Sequence, residues 1–339
     1  MKILVATNHL QGTGGTETYS YALAVELKRQ GHEVEYFTFQ RGAASDMLEQ
    51  KGIPYMTAKK YDLILANHVP VVARLQSYGF IVQTCHGTIV PLEQPSRYAD
   101  AYVAVTEEIQ QYLRDKGYDS AVIYNGVDCS RFFSSSPLNN KLTRVLSLCQ
   151  SSVANEFISD CCDALGVEFA KCEKRVDNVW NVEERINQAD LVVGIGRSLY
   201  DSMACGRCVI SYDNREYMDV AAGCGYLNSE NFERALKKNC SGRGEEIIFT
   251  KDTFIAELKK YDPADGQWAR SVALDMLNVT NAAKSYISLY ESCIADTKCV
   301  FVRLRLKKFC FSIWLGIKRI VKSLRNALRV VRKKIKKST

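Results

Sequence analysis

Two glycine-rich stretches and three histidines carry most of the chemistry suggested by the 339-residue sequence. The stretch "GTGGTE" (12–17) follows the apolar run "KILVAT" and precedes the helix-like "TYSYALAVELKRQG". Gly12, Gly14 and Gly15 would let a ligand approach the backbone closely, and a helix N-terminus behind them offers unpaired N–H groups to a phosphate. Thr16 and Glu17 break the G-x-G-x-x-G register, so a plain tight turn between strand and helix is the competing reading. The second stretch is "DLVVGIGRSLYDSMACG" (190–206). Here Gly194 and Gly196 end a strand, and Ser198 is expected to cap the next helix. Arg197 offers a guanidinium fork to phosphate. Asp201, one turn into the helix, is placed to accept hydrogen bonds from a ribose.

His9, His68 and His86 each follow the C-terminal end of an apolar strand-like run, so the three can converge on one cleft. His86, in "TCHG", is the foremost catalytic candidate. His32, between a helix stop and a strand, reads as structural. Other chemistries leave no trace. The sequence has no G-x-x-x-x-G-K-[ST], no D-x-D, no G-x-S-x-G and no H-E-x-x-H. Cys205 and Cys208 form a lone C-x-x-C without a second ligand pair, so no metal site is expected. The 13 cysteines are odd in number and scattered, which suits a reducing cytosol.

The elements that must position these residues alternate along the chain. In 1–128, apolar strands ("KILVAT", "EVEYFTF", "IPYMTA", "YDLILAN", "FIVQTCHG", "ADAYVAV", "SAVIYNGVD") are interleaved with helical stretches. That order predicts a parallel sheet covered on both faces. "CSRFFSSSPLNNK" (129–141) reads as a linker. A second strand–helix series fills 142–281, including "TRVLSLC", "VEFAKCE", "DLVVGIG", "CVISYD" and "GCGYL". A closing helix follows in 282–298 and a basic tail in 299–339. The fold class is therefore α/β, with two doubly wound domains and a cleft at the carboxyl ends of their strands.

The order and spacing of "GTGGTETYSYALAVELKRQGHEVEYFT", "TCHG" (84–87), "YNGVD" (124–128) and "ADLVVGIGRSLYDSMACGRCVISYD" (189–213) carry a resemblance. The chain resembles GT-B-fold glycosyltransferases, in particular the large retaining group that extends bacterial lipopolysaccharide, capsule and related glycans. The resemblance covers roughly residues 1–295. It implies two Rossmann-like domains facing a cleft. A nucleotide-diphosphate sugar would be bound mainly by the second, as donor substrate, with no further cofactor and no metal. It implies that Gly14 and Gly15 face the donor phosphates, that Gly194 and Gly196 line the diphosphate loop, and that His86 contacts the transferred sugar. Asp201 falls where the family has the second Glu of its E-x7-E motif, the ribose ligand. The acceptor, a lipid-linked or lipopolysaccharide-type glycan, would lie against the first domain, where His9, Glu17 and His68 are candidates. Two departures stand out. Val193 occupies the place of the first Glu, and the segment after the first strand of the second domain has Gln150 instead of the usual Arg and Lys. Arg197 is positioned to replace one of those cations. The missing charges leave open a second class, a non-catalytic GT-B-like nucleotide- or sugar-binding protein.

Composition adds a feature that the motifs do not touch. The net charge is +7, from 45 Lys/Arg against 38 Asp/Glu. Residues 299–339 hold 14 of the basic residues and no acidic one, which leaves 1–298 at −7. From Ile313 the tail's apolar residues recur at steps of three and four, with Lys318, Lys322 and Arg325 off that stripe and Phe309, Phe311 and Trp314 at its start. This is the pattern of a helix lying in an anionic membrane surface. A charge-rich helix packed on the acidic body is a competing reading; an aromatic-anchored stripe suits nucleic acid poorly, and no run is long enough to span a bilayer. The expectation is a cytoplasmic protein bound peripherally to the inner face of the cell membrane.

Overall fold

The computed structural model describes residues 1–173, 180–214, 222–243 and 247–295. Met1–Ile287 form one compact unit, and Ser288 onward belongs to a second. Within the first unit the chain builds two sheets. β1 (Lys2–Ala6), β2 (Glu33–Phe37), β3 (Leu63–Ala66), β4 (Phe80–Cys85), β5 (Ala101–Ala104) and β6 (Ala121–Val122) form a six-stranded sheet of order β2-β1-β3-β4-β5-β6. All its pairings are parallel. The parallel arrangement follows from the helices between the strands: α1 (Gly15–Arg29), α2 (Ala43–Gln50), α3 (Val69–Leu75) and α4 (Glu107–Asp115). A short 3-10 turn, Pro91–Glu93, lies between β4 and β5. Strands covered on both faces read as continuous apolar runs, and Leu63–Ala66 is buried at every position.

The second sheet has the order β11-β10-β9-β7-β8. Its strands are β7 (Arg144–Ser147), β8 (Glu168–Lys171), β9 (Leu191–Gly194), β10 (Cys208–Asp213) and β11 (Ala222–Leu227). The helices α5 (Ser152–Leu165), α6 (Val182–Asn187), α7 (Arg197–Ala204), α8 (Phe232–Leu236), α9 (Lys251–Leu258), α10 (Pro263–Met276) and α11 (Val279–Ala295) accompany it. The sequence between the two sheets is fixed by two arginines, Arg207 buried and Arg270 half-buried. Arg207, 1% exposed, donates to Cys205 O, Ala189 O, Ser134 Oγ and Ser136 O. Arg270 donates to Phe132 O and Cys129 O. At the far end, Val127 and Val279 exchange backbone hydrogen bonds with residues beside one another, Val127 N–H to Leu277 O and Val279 N–H to Val127 O. Tyr286 of α11 then joins Tyr19 Oη at 2.7 Å and Thr84 Oγ1 at 2.8 Å.

Three local expectations are corrected. "IPYMTA" is not a strand; Tyr55 makes a single bridge to Tyr36. "SAVIYNGVD" is strand only at Ala121–Val122. "GCGYL" does lie in β11, but β11 runs antiparallel to β10. Only residues 214–221 separate those strands, and a parallel return needs a crossover of a dozen or more residues. The tail residues singled out for membrane contact (Phe309, Phe311, Trp314, Lys318, Lys322 and Arg325) lie outside the described residues. Among the described residues no helix is long and apolar enough to cross a membrane.

Candidate functional site

The carboxyl ends of β1, β3, β4 and β9 bring the expected residues together. The turn before α1 is shaped by Glu17, which is buried and accepts a hydrogen bond from Gly12 N–H at 3.1 Å. A Cβ on Gly14, the residue at the head of α1, would overlap Glu17 Oε2. Gly15 has open space around it and faces two cavities. Glu17, expected on the acceptor side, is thus turned back onto the glycine loop.

The three histidines do converge. His68, at the start of α3, accepts from Asn8 N–H at 3.1 Å through Nδ1, which also lies 3.2 Å from Thr7 Oγ1. His9 stacks on it with ring centroids 5.7 Å apart. Burial, with His9 adding, pushes His68 down to about 4. His86 follows β4. Its Nε2 lies 3.1 Å from Asn67 Oδ1 and its ring meets Tyr19 edge-on at 5.4 Å. Asn67 is itself fixed, because its Nδ2 donates to Ser20 Oγ at 2.8 Å. An acceptor at Asn67 Oδ1 places the ring proton on Nε2. Burial, then His68 and Arg197, push His86 down to about 3, so the imidazole is neutral near pH 7. Of the three, His86 lines a cavity of about 420 Å³.

The second glycine stretch forms the opposite wall. Gly196 precedes α7 with φ 57° and ψ −129°, a conformation essentially confined to glycine, and a Cβ there would stand 2.7 Å from Asn239 Nδ2. Because Gly196 occupies the capping position and no side chain caps the helix, Ser198 is not the cap expected. Ser198 instead lines both cavities as the second residue of α7. Gly194, the last residue of β9, lies close under it: a Cβ there would be 3.2 Å from Ser198 Cβ.

Arg197 and Asp201 form the polar centre. The Arg197 side chain is 10% exposed and Nη1 donates to Gly126 O at 3.1 Å. Its Nε lies 3.5 Å from Asp201 Oδ1, yet neither atom has a hydrogen-bond partner among the described residues. Buried polar atoms are normally satisfied, and an orphaned pair marks a place for water or a ligand. Burial raises the Asp201 carboxyl above its ordinary value, opposed first by Arg197 and then by Arg131. Asp201 lines a smaller cavity of about 100 Å³ with Thr13, Gly15, Arg131, Gln150 and Trp180, and Arg197 belongs to both cavities. Arg131 is held by Glu183 and stacks over the Trp180 and Phe132 rings at 5.1 and 5.0 Å.

Several lining residues went unnoticed in the sequence. Asn125 Oδ1 is buried without a partner at the larger cavity; it lies in the quoted "YNGVD". Asn239 and Cys240 both have positive φ, 59° and 45°, and Asn239 accepts from Tyr200 Oη at 3.0 Å. Arg243 lines the same cavity and clasps Glu108 of α4 at 2.5 and 3.1 Å. Glu93 lines it from the 3-10 turn. No motif marked Arg243 or Glu93. Among the described residues no cluster of three or more His, Cys, Asp or Glu is placed to hold a metal ion.

A cleft between two α/β sheets, with a glycine turn and a helix N-terminus on each side, is the GT-B arrangement. Residues 53–131, from before β3 past β6, match the family described as Glycosyltransferase Family 4. No curated protein sequence matches the chain. Among solved structures, a glycosyltransferase from Rickettsia africae is 13% identical, with 87% of this chain and 99% of that one covered at a TM-score of 0.58. HepE from Anabaena, solved with UDP and glucose, is 17% identical over 86% of this chain and 100% of its own, also at 0.58. AviGT4, a glycosyltransferase of avilamycin A biosynthesis, is 12% identical over 87% and 98%, at 0.53. The chain has the GT-B fold, and its residues 53–131 resemble Glycosyltransferase Family 4.

Proposed function

We propose that the protein transfers a sugar from a nucleotide-diphosphate donor to a hydroxyl of a lipid-linked or lipopolysaccharide-type glycan. In this reading it acts with retention, without a metal, at the cytosolic face of a membrane. The observation that carries the donor site is the orphaned Arg197 Nε and Asp201 Oδ1 at the head of α7, where the two cavities meet. The UDP and glucose bound by HepE support a nucleotide-sugar donor for this fold.

The diphosphate leaves as negative charge gathers on it and the sugar becomes oxocarbenium-like. The Arg197 guanidinium and the α7 N-terminus are fixed, partly desolvated positive groups beside that charge, the arrangement that favours departure. They stand in for the Arg and Lys absent at Gln150, and the same field replaces a metal. Gly15 and Gly196 bring bare backbone to the phosphates. Asp201, facing the smaller cavity beside Trp180, accepts from the ribose hydroxyls. His86, neutral and oriented by Asn67, offers Nδ1 as an acceptor to a sugar hydroxyl. Glu108–Arg243 and the edge-on Tyr21–Trp180 contact at 5.0 Å hold the walls together, which slows hydrolysis of the donor without abolishing it.

A thermal-shift panel of UDP-, GDP-, ADP- and CMP-sugars tests the reading. One nucleotide class should stabilise the protein, and that sugar should be transferred. Absence of any shift across the panel sinks the donor site. The anomeric configuration of the product, read by NMR, decides retention, and full activity after chelation is expected for a metal-free reaction.

A further inference from the structure

We propose that Glu93 is the general base of the reaction, taking the proton of the acceptor hydroxyl as that oxygen bonds to the anomeric carbon. The inference rests on the transferase reading above and adds a residue to the same site.

The large cavity has donor-facing groups on its α7 side, and what faces them is the segment after β4. That segment runs from His86 through Gly87 and Thr88 to the 3-10 turn Pro91–Glu93. The Glu93 carboxylate folds back against the backbone one residue past His86, so that a Cβ on Gly87 would clash with its Oε2. Among the described residues the carboxylate makes no hydrogen bond and no ion pair, although its backbone N–H is satisfied by Val90 O. This separates it from the other acids nearby. Glu17 is spent on the glycine loop, Glu108 on Arg243 and Glu183 on Arg131. A half-buried carboxylate with free lone pairs in a cavity of this size is the group left to receive a proton. Asn125 Oδ1, orphaned on the same cavity, adds a second acceptor for a hydroxyl.

The charges around Glu93 are known. His86 and Cys85 face it from the end of β4, Arg197 from α7, and Arg243, paired with Glu108, from beyond α8. Arg74 lies on α3, stacked on Tyr78. Lys116 reaches the neighbouring Gln94 at 3.3 Å. Burial is what moves the Glu93 carboxyl, and it moves it upward, toward the range in which a base is effective.

In the step itself, the bond from the anomeric carbon to the diphosphate oxygen breaks and its electron pair leaves with the diphosphate. The acceptor oxygen forms the new bond on the face the diphosphate vacates. Its proton passes to Glu93 rather than to the departing phosphate, and Glu93 later returns it to water.

The test uses the full-length protein, the nucleotide sugar selected by the panel, and water as the acceptor, with release of nucleotide diphosphate as readout. Glu93→Gln should lower that rate on the order of 10²-fold while donor affinity stays within twofold. The wild type should lose activity on the acid side above the ordinary carboxylate range, and the Gln variant should lack that limb. Glu93→Asp, which keeps the carboxylate, should retain the limb at a reduced rate and covers the case of a poorly folded Gln variant. An unchanged rate, a persisting limb, or losses of rate and affinity in proportion would each overturn the assignment. So would a wild type that binds donor and releases no diphosphate. A wild type that binds no nucleotide sugar fails the transferase reading instead.

Discussion

At the scale of single residues, the site depends on side chains whose state is set by what surrounds them. His86 is neutral because burial, His68 and Arg197 all oppose a second proton. Replacing it with Ala should lower turnover by about 10²-fold, the order seen when a group contacting the reacting centre is lost, while nucleotide affinity measured by calorimetry changes little. Equal losses in both would make His86 a structural residue. Arg197→Ala carries the opposite signature: donor affinity should fall at least tenfold, because the guanidinium lies at the junction of both cavities. Unchanged affinity would end its role as the substitute for the cations absent at Gln150. His68 adds a stability effect. Its folded pKa of about 4 lies below the unfolded 6.5, so the unfolded chain binds more protons between those values. The stability contribution is complete above pH 6.5 and is lost as pH falls toward 4, with a limiting slope of about 1.4 kcal/mol per pH unit. His68→Asn should therefore flatten the fall of Tm between pH 6.5 and 4, whatever it does to Tm at pH 7.

At the scale of elements, the turn into α7 shows how backbone sets the site. Gly196 holds φ 57° and ψ −129° and lies against Asn239. Gly196→Ala should cost about 1–3 kcal/mol and weaken donor binding as well, since the turn aims the α7 N-terminus; a Tm within a degree of wild type would contradict this. The "GIG" pattern announced this turn because a glycine ending a strand before a helix has few other uses. Ser198 was less legible. A serine near a helix start reads as a cap, but the extreme conformation of Gly196 starts the helix two residues earlier. The strands themselves were legible wherever they are covered on both faces, as at Leu63–Ala66 and Leu191–Gly194. "IPYMTA" does lie along the free edge of β2, but Pro54 has no N–H to extend the ladder one way, and the Thr57 and Ala58 N–H groups go to the Glu35 carboxylate the other way, leaving only the Tyr55–Tyr36 bridge. Glu93 was illegible for a different reason: its place beside Gly87 arises from a 3-10 turn that folds "PLE" back on the end of β4, and nothing local in the sequence encodes that approach.

At the scale of the whole molecule, charge is divided along the chain. The net of −7 over 1–298 and +14 over 299–339 is hidden in the overall +7. An acidic body is repelled by an anionic bilayer, so attraction must come from the tail if the acceptor is held in a membrane. Each basic residue near an anionic leaflet contributes about 1 kcal/mol, and the attraction is screened over about 8 Å at physiological salt. Full-length protein should therefore sediment with vesicles containing anionic lipid, ignore vesicles of zwitterionic lipid alone, and be released as salt rises. Exchanging Lys318, Lys322 and Arg325 for Glu removes three positive charges and adds three negative ones, leaving the tail at +8, and should weaken sedimentation and lower the salt concentration at which the protein is released. Turnover with a water-soluble acceptor should remain, because the proposed catalytic residues all lie within Met1–Ile287. Replacing Trp314 with Ala should weaken binding with less effect on its salt dependence, since the aromatic residue acts by inserting rather than by charge. If wild-type protein fails to sediment with anionic vesicles, or if the Glu variant sediments equally well, the basic tail is not the membrane anchor.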